Sequence, residues 1–362
     1  MSERNIRFGV IGLGAIAPSH FYAIEQARGA TLTAVCDIRA DVARRVGEER
    51  GVPHFTDVGD LLAADLIDVA TIGTPNAYHL DPALKVLEAG KHVLVEKPLE
   101  ITTERIDQLL AAEARSGARI ACVFQSRFKP LARTLRSLIS DGLLGELYTG
   151  SAHIMYYRTQ EYYDSGAWRG TWDVDGGGCL MNQGIHCVDL FLWFMGQVEE
   201  VIAVTSSAGR HIEVETVAHA LATFSNGAHG ILDGTTLAYP EYESYIELVG
   251  SRGSCAFSAD RLRTMDLIDP TPDEAAARET ILSDQARRDT EASNAPSKEV
   301  APGTAVGSVD MGHTPIVEDL VEAIREERAP FVTGTEGRRS VAFITAIYES
   351  ARNGSAPVRL GQ

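Results

Sequence analysis

The sequence predicts an N-terminal α/β domain with a doubly wound parallel sheet, followed by an α+β domain. The second sheet is expected to be predominantly antiparallel, with helices covering one face. Residues 6 to about 123 alternate short β-branched strands with helical stretches, which is typical of a parallel sheet. After about residue 124, longer strands of alternating polarity follow one another, which is typical of an antiparallel meander. We therefore predict domains of residues 1–123 and 124–362.

A glycine-rich turn connects the first predicted strand, 6–11, to the first predicted helix, 15–28. The turn reads G-x-G-x-x-A from Gly12 to Ala17. Gly12 permits a tight turn, Gly14 lets backbone approach a phosphate, and free N–H groups at the helix N-terminus attract anions. This pattern indicates a Rossmann domain that binds a dinucleotide, although such turns also occur where nothing binds. The residues of the turn that we assign to cofactor binding are Gly12, Gly14, Ala15 and Ile16.

The second predicted strand, 31–36, ends in an acidic residue. Asp37 follows it, twenty residues after Ala17. A carboxylate at about this distance accepts the adenosine ribose hydroxyls and repels a 2′-phosphate, so the sequence predicts NAD. Arg39, two residues further on, is able to turn toward a phosphate and keeps NADP as the alternative.

Two short polar segments follow the next strands of the first domain. Thr74-Pro75-Asn76 comes after strand 67–72, and Glu96-Lys97-Pro98 comes after strand 92–95. Open α/β sheets bind their ligands at the carboxyl ends of strands, so both segments are expected at the cofactor. The residues assigned on this ground are Thr74, Pro75, Asn76, His79, Glu96 and Lys97. His20 and His79 each lie early in a helix and also suit packing or capping. The other predicted elements here are helices 39–50, 57–63, 79–89 and 102–116 and strand 119–124.

The second domain is predicted to contain seven strands and four helices. The strands are 147–157, 199–206, 215–225, 228–236, 243–250, 254–258 and 262–268. The helices are 128–141, 183–195, 314–327 and 337–352. Segment 269–308 is rich in Ala, Asp, Glu, Pro, Ser and Thr, so we expect a long surface excursion that is partly helical or disordered.

A polar row follows a run of three glycines in this domain. Asn182, His186 and Asp189 are spaced four and three apart, so on a helix they share one face. The glycine run, Gly176–Gly178, lets backbone come close to a ligand. Taken alone, Asn182 equally suits a helix N-cap, and a single histidine is more often structural than catalytic. Asp189 is expected to hold the His186 imidazole or a surface partner.

The ordered motifs resemble those of the glucose–fructose oxidoreductase/inositol dehydrogenase family of NAD(P)-dependent sugar oxidoreductases. Four signals carry the resemblance, which covers essentially the whole chain: G-x-G-x-x-A, Thr74-Pro75-Asn76 with His79, Glu96-Lys97-Pro98, and the glycine run with Asn182, His186 and Asp189. The resemblance implies that Lys97 is the active-site lysine, that His186 is the catalytic histidine and that the Lys97–Pro98 bond is cis.

The position four residues before His186 is commonly Asp in the inositol-type relatives. Here it is Asn182, and an amide cannot take a proton. We expect Asn182 to orient the substrate by hydrogen bonds and count it with the catalytic residues. Oxidation of a secondary alcohol needs a base for the hydroxyl proton, and Lys97 or His186 is able to relay it. Spacing typical of metal ligands is absent, so no metal is expected.

The aromatic segment 162–169 precedes the glycine run and is expected to fold over the substrate. Aromatic faces stack on sugar rings, and Arg169 is able to bind hydroxyls; a buried aromatic cluster with a surface arginine is an equal alternative. The residues assigned to substrate binding are Lys97, Tyr163, Trp168, Arg169, Asn182 and His186.

Composition limits the partners. The formal charge of −17 repels nucleic acids and anionic membranes, and the five cysteines are expected to be buried thiols. No stretch is long and apolar enough to span a bilayer, so a cytoplasmic location is expected. Apolar residues on the free face of the second sheet predict a homodimer or homotetramer through that face. The residues taken to mark that face are Val201, Ala203, Leu221 and Ile231.

The predicted function is NAD-dependent hydride transfer to or from a secondary hydroxyl, or the matching ketone, of a sugar, glycoside or inositol-like polyol. One alternative is a dinucleotide-binding sensor without turnover, which the presence of Lys97 and His186 disfavours. Another is NAD-dependent glycoside cleavage, in which oxidation is only the first step; the sequence does not separate it from simple dehydrogenation.

Overall fold

The protein is described here from a computed structural model, which describes residues 4–293 and 311–361. These residues form two compact units. The first contains residues 4–125, 171–176 and 311–342. The second contains residues 126–170, 177–293 and 343–361. Each unit therefore includes segments that are distant in sequence.

The first unit is built on a six-stranded parallel sheet with strand order β3-β2-β1-β4-β5-β6. Its strands are β1 Ile6–Ile11, β2 Ala30–Cys36, β3 His54–Phe55, β4 Val69–Ile72, β5 His92–Val95 and β6 Ile120–Cys122. Its helices are α1 Ala17–Gln26, α2 Ala40–Arg50, α3 Val58–Ala63, α4 Leu80–Glu88, α5 Thr103–Ser116 and α10 Thr314–Arg325, and a short 3₁₀ turn covers Asn76–Tyr78. A second 3₁₀ turn, Gln125–Phe128, lies where the chain passes into the second unit. This strand order is that of a doubly wound dinucleotide fold, and it confirms the predicted Rossmann sheet.

The second unit is built on an eight-stranded sheet with order β13-β12-β11-β7-β10-β9-β8-β14. Its strands are β7 Leu147–Met155, β8 Val198–Ser206, β9 Val217–Phe224, β10 His229–Thr235, β11 Tyr245–Gly250, β12 Gly253–Phe257, β13 Leu262–Leu267 and β14 Val358–Arg359. Its helices are α6 Pro130–Ser140, α7 Gln160–Asp164, α8 Ile185–Met195 and α9 Pro272–Ser293, while α11 Gly334–Arg352 contributes its C-terminal half. All pairs are antiparallel except β10 with β7, so the sheet is mixed but predominantly antiparallel, as predicted.

One face of the second sheet is buried and the other is exposed. On β8 the side chains of Val201 and Ala203 are buried, whereas Ile202 and Val204 point outward. The prediction that Val201 and Ala203 lie on the free face is therefore wrong. Every residue from Val201 to Val204 is apolar. The sequence therefore shows no alternation of polar and apolar residues that would tell whether the odd-numbered or the even-numbered side chains face the core. Leu221 pairs with Ile202 and is 59% exposed, so its predicted outward position is correct.

The helix predicted at 183–195 begins differently. A π-helical segment covers Cys179–Gly184, and α8 follows from Ile185 with Gly184 as its N-cap residue. Asn182 lies inside the π-helical segment and is therefore not the N-cap of α8. Segment 269–308 contains the long helix α9, and its residues 294–308 lie outside the described residues. Helix α7 and the short strands β3 and β14 were not predicted.

The five cysteines are free and buried, as expected. Among the helices of residues 4–293 and 311–361, none combines the length and the apolar character needed to span a membrane.

Truncation of Phe224 tests the core of the second unit. The ring is buried beneath the sheet and contacts Phe191 edge to face, with centroids 5.7 Å apart. We expect Phe224→Ala to lower the free energy of unfolding by about 3–5 kcal/mol, because it leaves a cavity. Thr223→Ala, one residue away on the opposite face, is the matched control and should change it by less than about 1 kcal/mol. Equal effects of the two changes in denaturant titrations would contradict this packing.

Candidate functional site

The glycine turn after β1 is closely packed at its start and open at its centre. Gly12 has φ +89°, and a Cβ there would lie 2.7 Å from the Gly73 and Thr74 backbone. Gly14 is exposed, and a Cβ there would meet nothing within 4 Å. The first glycine is thus required by the turn, whereas the second leaves accessible backbone before α1. This arrangement fits the pyrophosphate of a dinucleotide.

Asp37 lies at the end of β2, beside the turn. Its Oδ2 accepts from the backbone N–H of Leu13, and its Oδ1 accepts from that of Arg39, each at 2.9 Å. The Arg39 guanidinium also donates to both oxygens at 2.9 Å. Burial raises the pKa of Asp37, but the bonds from Arg39 and Leu13 outweigh it and hold the pKa below its usual value. The anion that the sequence predicts at this position is therefore stabilised.

Ile38 follows Asp37 and was missed by the sequence reasoning. Its side chain is 90% exposed, which is unusual for an isoleucine in a folded unit. The signal in the sequence is an apolar residue directly after Asp37, the acidic residue that is expected to bind the ribose.

His79 connects the two polar segments that follow β4 and β5. Its ring is fully buried, with Nδ1 2.9 Å from the Pro98 carbonyl oxygen and Nε2 2.9 Å from that of Thr74. Burial lowers the pKa of His79. The ring lies between these two carbonyl oxygens, as its alternative packing role suggested, and in the neutral form its single N–H donates to one of them. The bond between Lys97 and Pro98 is cis, as the resemblance implies.

Asn76 is buried, and its amide donates to Asp175, both to the backbone oxygen at 2.9 Å and to Oδ1 at 3.1 Å. Thr74 donates its hydroxyl to the Tyr78 carbonyl oxygen at 2.8 Å. These hydrogen bonds fix the segment after β4. They also show that the Asn76 side chain is used within the first unit.

Glu96 is a buried carboxylate between two histidines. His313 Nε2 donates to its Oε1 at 2.8 Å, and His20 Nε2 lies 3.2 Å from the same oxygen with poorer hydrogen-bond alignment. The Lys97 backbone N–H donates to Oε2 at 3.1 Å. Burial raises the pKa of Glu96, but the two imidazoles outweigh it and hold the pKa well below its usual range. Glu96 therefore remains an anion next to Lys97.

Two imidazoles and a carboxylate are also a ligand set for divalent transition metals. Ligand atoms of a tetrahedral metal lie about 3.3 Å apart, whereas Glu96 Oε1 and His313 Nε2 are 2.8 Å apart. Metal-bound histidines normally donate their second N–H, but the Nδ1 atoms of His20 and His313 have no hydrogen-bond partner among the described residues. Hydrogen bonding explains this geometry better than metal coordination.

The π-helical segment carries Asn182 in the second unit, and His186 lies in the first turn of α8. Both side chains are half-buried. His186 lines a cavity of about 230 Å³ together with Tyr156, Ser244 and Glu241. A titratable side chain that lines a cavity is able to exchange a proton with a bound hydroxyl.

Asp189, which was expected to hold His186 or a surface partner, forms an ion pair with Arg127. Arg127 Nε and Nη2 donate to its two carboxylate oxygens at 2.7 Å each, and both side chains are buried. The Arg127 guanidinium also lies 5.3 Å from the centre of the Trp193 ring. This pair attaches the segment before α6 to α8.

The aromatic segment is partly buried. Tyr163 is 5% exposed and donates its hydroxyl to Thr236 at 3.1 Å, and burial raises its pKa to about 12. Trp168 and Arg169 are half-exposed, and the Arg169 guanidinium lies 4.7 Å from the Trp168 ring centre. The segment thus combines the two alternatives, because Tyr163 belongs to a buried cluster whereas Trp168 and Arg169 reach the surface.

The Tyr162 hydroxyl connects this segment to the residue after Asn182. It accepts from Arg169 Nη1 at 2.6 Å and from Gln183 Nε2 at 2.8 Å. The structure therefore brings the aromatic segment and the π-helical segment together within the second unit. Lys97 and the assigned cofactor residues belong to the first unit.

The first unit has the fold and glycine turn of a dinucleotide-binding enzyme. Residues 6–124 match the model of the oxidoreductase family with an NAD-binding Rossmann fold, and residues 132–256 match the GFO/IDH/MocA C-terminal domain. The chain belongs to the GFO/IDH/MocA family of NAD-binding oxidoreductases.

Individual relatives extend over most of the chain. Myo-inositol 2-dehydrogenase of Thermotoga maritima is 27% identical over 279 residues, which cover 74% of this chain and 80% of the relative. The WlbA dehydrogenase of Bordetella pertussis, solved with NADH and UDP-GlcNAcA, is 31% identical, with a TM-score of 0.87 and coverage of 100% and 99%. Levoglucosan dehydrogenase, solved with NADH and levoglucosan, shares the fold at 21% identity and a TM-score of 0.81, with coverage of 99% and 100%.

The buried histidines of the first unit predict a stability that falls in acid. Burial lowers the pKa of both His20 and His79 below 6.5, so the unfolded chain binds more protons than the folded one as pH falls. Stability is therefore full above about pH 6.5 and is lost below it, and Glu96 adds a further loss below about pH 4.5. We expect the melting temperature to fall between about pH 7 and pH 5.

Replacing a buried histidine should flatten this dependence. His20→Asn should give a smaller difference in melting temperature between about pH 7 and pH 5 than the unchanged protein gives. The exposed His229→Asn is the control and should leave the difference unchanged. An unchanged slope in His20→Asn would show that His20 is not held neutral by burial.

Proposed function

We propose that the protein is an NAD-dependent dehydrogenase that oxidises a secondary hydroxyl of a neutral sugar, glycoside or polyol, or reduces the matching ketone. Relatives named myo-inositol 2-dehydrogenase, D-glucoside 3-dehydrogenase and D-apiose dehydrogenase support this substrate class. A panel of sugars and polyols with NAD⁺, followed by the absorbance of NADH, tests it. Absence of turnover across the panel, with NAD⁺ bound, would favour the sensor alternative.

The observation that carries the proposal is that each unit contains a residue suited to proton transfer. Lys97 follows β5 at the carboxyl end of the parallel sheet, where such folds place their ligands. His186 lines a cavity in the second unit. A sensor needs neither group, whereas alcohol oxidation needs a base for the hydroxyl proton. We therefore favour turnover over sensing.

The proposed mechanism assigns each of these side chains a role. NAD⁺, when bound, supplies the hydride acceptor. Lys97 or His186 takes the hydroxyl proton, and Asn182 orients the substrate by hydrogen bonds. Trp168 offers an aromatic face to a sugar ring, and Arg169 binds hydroxyls. Tyr163 acts by supporting this segment from beneath, since its hydroxyl bonds to Thr236.

The cofactor is held by the exposed backbone of the glycine turn and by Asp37. We propose that Ile38 packs against the adenine ring, because its exposed side chain adjoins the ribose-binding carboxylate. His79 and Asn76 shape the site through backbone contacts rather than by touching the cofactor.

We also propose a homodimer or homotetramer in the cytoplasm. The outer-face patch is defined as Ile202, Val204, Leu221 and Ile231, and each member is between 37% and 59% exposed. Leu221 pairs with Ile202 on one side and with Ile231 on the other, and Val204 lies two residues after Ile202 on β8. Apolar surface of this kind is typical of an interface. The buried free cysteines suit a reducing compartment.

Removal of either proton-transfer residue should slow catalysis. We expect Lys97→Ala and His186→Ala to lower kcat by about 10²–10⁴ with little change in NAD⁺ affinity. Asn182→Asp should have a milder effect and shift the pH profile, because it adds a titratable group near His186. Lys85→Ala and His229→Asn change exposed side chains and serve as controls. Near-normal turnover by the double variant Lys97→Ala/His186→Ala would refute both assignments.

Asp37 and Arg39 should determine the cofactor preference. Asp37→Ala should weaken NAD⁺ binding by about 10-fold to 100-fold, because it removes a charged hydrogen-bond acceptor for the ribose. Arg39→Ala should weaken NADP⁺ binding more than NAD⁺ binding, since the guanidinium is the cation available to a 2′-phosphate. Fluorescence titration with both cofactors measures these affinities. Tighter binding of NADP⁺ than NAD⁺ by the unchanged protein would overturn the assignment.

A charge on the outer-face patch should disrupt the oligomer. Leu221→Asp places an unpaired carboxylate among the other patch residues, and burial of that charge in an interface is costly. Light scattering at micromolar concentration should show a smaller species for Leu221→Asp and not for the control Ser206→Asp. A monomeric mass for the unchanged protein would contradict the proposed assembly.

A further inference from the structure

Glu215 is a buried carboxylate that the proposed mechanism does not use. It precedes β9, and only 2% of its surface is exposed. Its Oε2 accepts from the Gly178 backbone N–H at 2.8 Å, and its Oε1 accepts from that of Leu180 at 2.9 Å. The Tyr348 hydroxyl donates to Oε1 at 2.8 Å. All of these groups belong to the second unit.

The backbone of Glu215 takes part as well. The Cys179 N–H donates to the Glu215 carbonyl oxygen at 3.0 Å. Three consecutive N–H groups, those of Gly178, Cys179 and Leu180, are therefore bound by one residue that is distant in sequence. These groups lie at the start of the π-helical segment, where N–H groups lack partners within the helix. A carboxylate there satisfies them and interacts favourably with the helix dipole.

The glycine run is explained by this contact. A Cβ at Gly178 would lie 1.9 Å from the Glu215 carbonyl oxygen, and a Cβ at Gly177 would lie 2.2 Å from the Tyr348 hydroxyl. These two glycines let Glu215 and Tyr348 approach the backbone. The glycine run was expected to let backbone approach a ligand. At Gly177 and Gly178 it instead makes room for Tyr348 and Glu215 of the same unit.

A buried anion is a costly way to hold a backbone turn. Burial raises the pKa of Glu215 above its usual value, and the hydrogen bonds from Leu180, Gly178 and Tyr348 offset only part of that rise. The segment that it holds carries Asn182 and leads directly into the first turn of α8, where His186 lies. The Asn182 N–H donates to the Gly178 carbonyl oxygen at 3.2 Å. Gly178, which Glu215 holds, is therefore hydrogen-bonded to the residue that is expected to orient the substrate.

We propose that Glu215 is a positioning residue, which fixes the π-helical segment and thereby the placement of Asn182 and His186. The inference rests on the proposed function for its catalytic consequence. The anchoring itself is independent of any substrate.

Hydrogen–deuterium exchange in the full chain tests the anchoring. In Glu215→Gln, the amide retains one acceptor oxygen but presents an NH₂ group to the other N–H, so one contact is lost. We expect exchange at Gly178–Asn182 to accelerate at least about tenfold. Tyr348→Phe keeps both backbone contacts and is the matched control, with a smaller acceleration expected. Exchange in Glu215→Gln equal to that of the unchanged protein would refute the anchoring.

Kinetics test the catalytic consequence. We expect Glu215→Gln to lower kcat by about 10-fold to 100-fold, because small misplacements of reacting groups are costly, while the Kd for NAD⁺ stays within about twofold. The pH profile of kcat should shift with the altered surroundings of His186, which a loss of folded protein alone would not produce. A normal kcat and pH profile alongside accelerated exchange would refute the positioning role.

Two further outcomes are distinguishable. If the unchanged protein oxidises no sugar or polyol, the proposed function fails, and the exchange result still decides whether Glu215 anchors the segment. If Glu215→Gln does not fold, Glu215→Asp keeps the charge but shortens the side chain by one methylene. That variant should then show the faster exchange and the lower kcat, and normal values for both would overturn the proposal.

Discussion

A buried carboxylate must be surrounded by hydrogen-bond donors, and both units of this protein are organised around such a group. In the first unit, Glu96 accepts hydrogen bonds from the His313 ring and from the Lys97 backbone N–H. In the second unit, Glu215 accepts hydrogen bonds from two backbone N–H groups and from the Tyr348 hydroxyl. Desolvation of each anion is unfavourable, so the donors cannot be displaced cheaply. Each unit therefore holds fixed the backbone beside a residue proposed to move a proton.

The sequence predicted the parallel sheet and most strands of the second sheet, because hydrophobic periodicity is a local property. It could not predict that residues 171–176 and 311–342 join the first unit, since no local pattern records long-range packing. His313 was overlooked for the same reason, because its partner Glu96 is 217 positions away in the chain. The motif residues of the Rossmann unit were accessible to sequence reasoning because glycine turns follow strands at fixed spacing.

The errors in the second unit also have physical causes. The residues Val201–Val204 are apolar on both faces of β8. Which of them face the core therefore depends on how β8 pairs with β9 and not on their own pattern. The four-residue spacing of Asn182 and His186 suggested one α-helical face, but Asn182 lies in a π-helical turn. Asp189 was expected to hold His186 or a surface partner, and its ion pair with the buried Arg127 was not foreseen, because the two residues are 62 positions apart in the chain.

The π-helical turn is equivalent to a single residue inserted into an otherwise regular helix. An α-helix advances about 100° per residue, so deletion of one residue between 179 and 184 would restore regular hydrogen bonding and rotate everything before it relative to α8 by about that angle. Such a deletion would turn the three N–H groups that contact Glu215 away from their present direction relative to His186 on α8. The number of residues in this turn, and not only their identity, therefore sets the direction of Asn182 relative to α8.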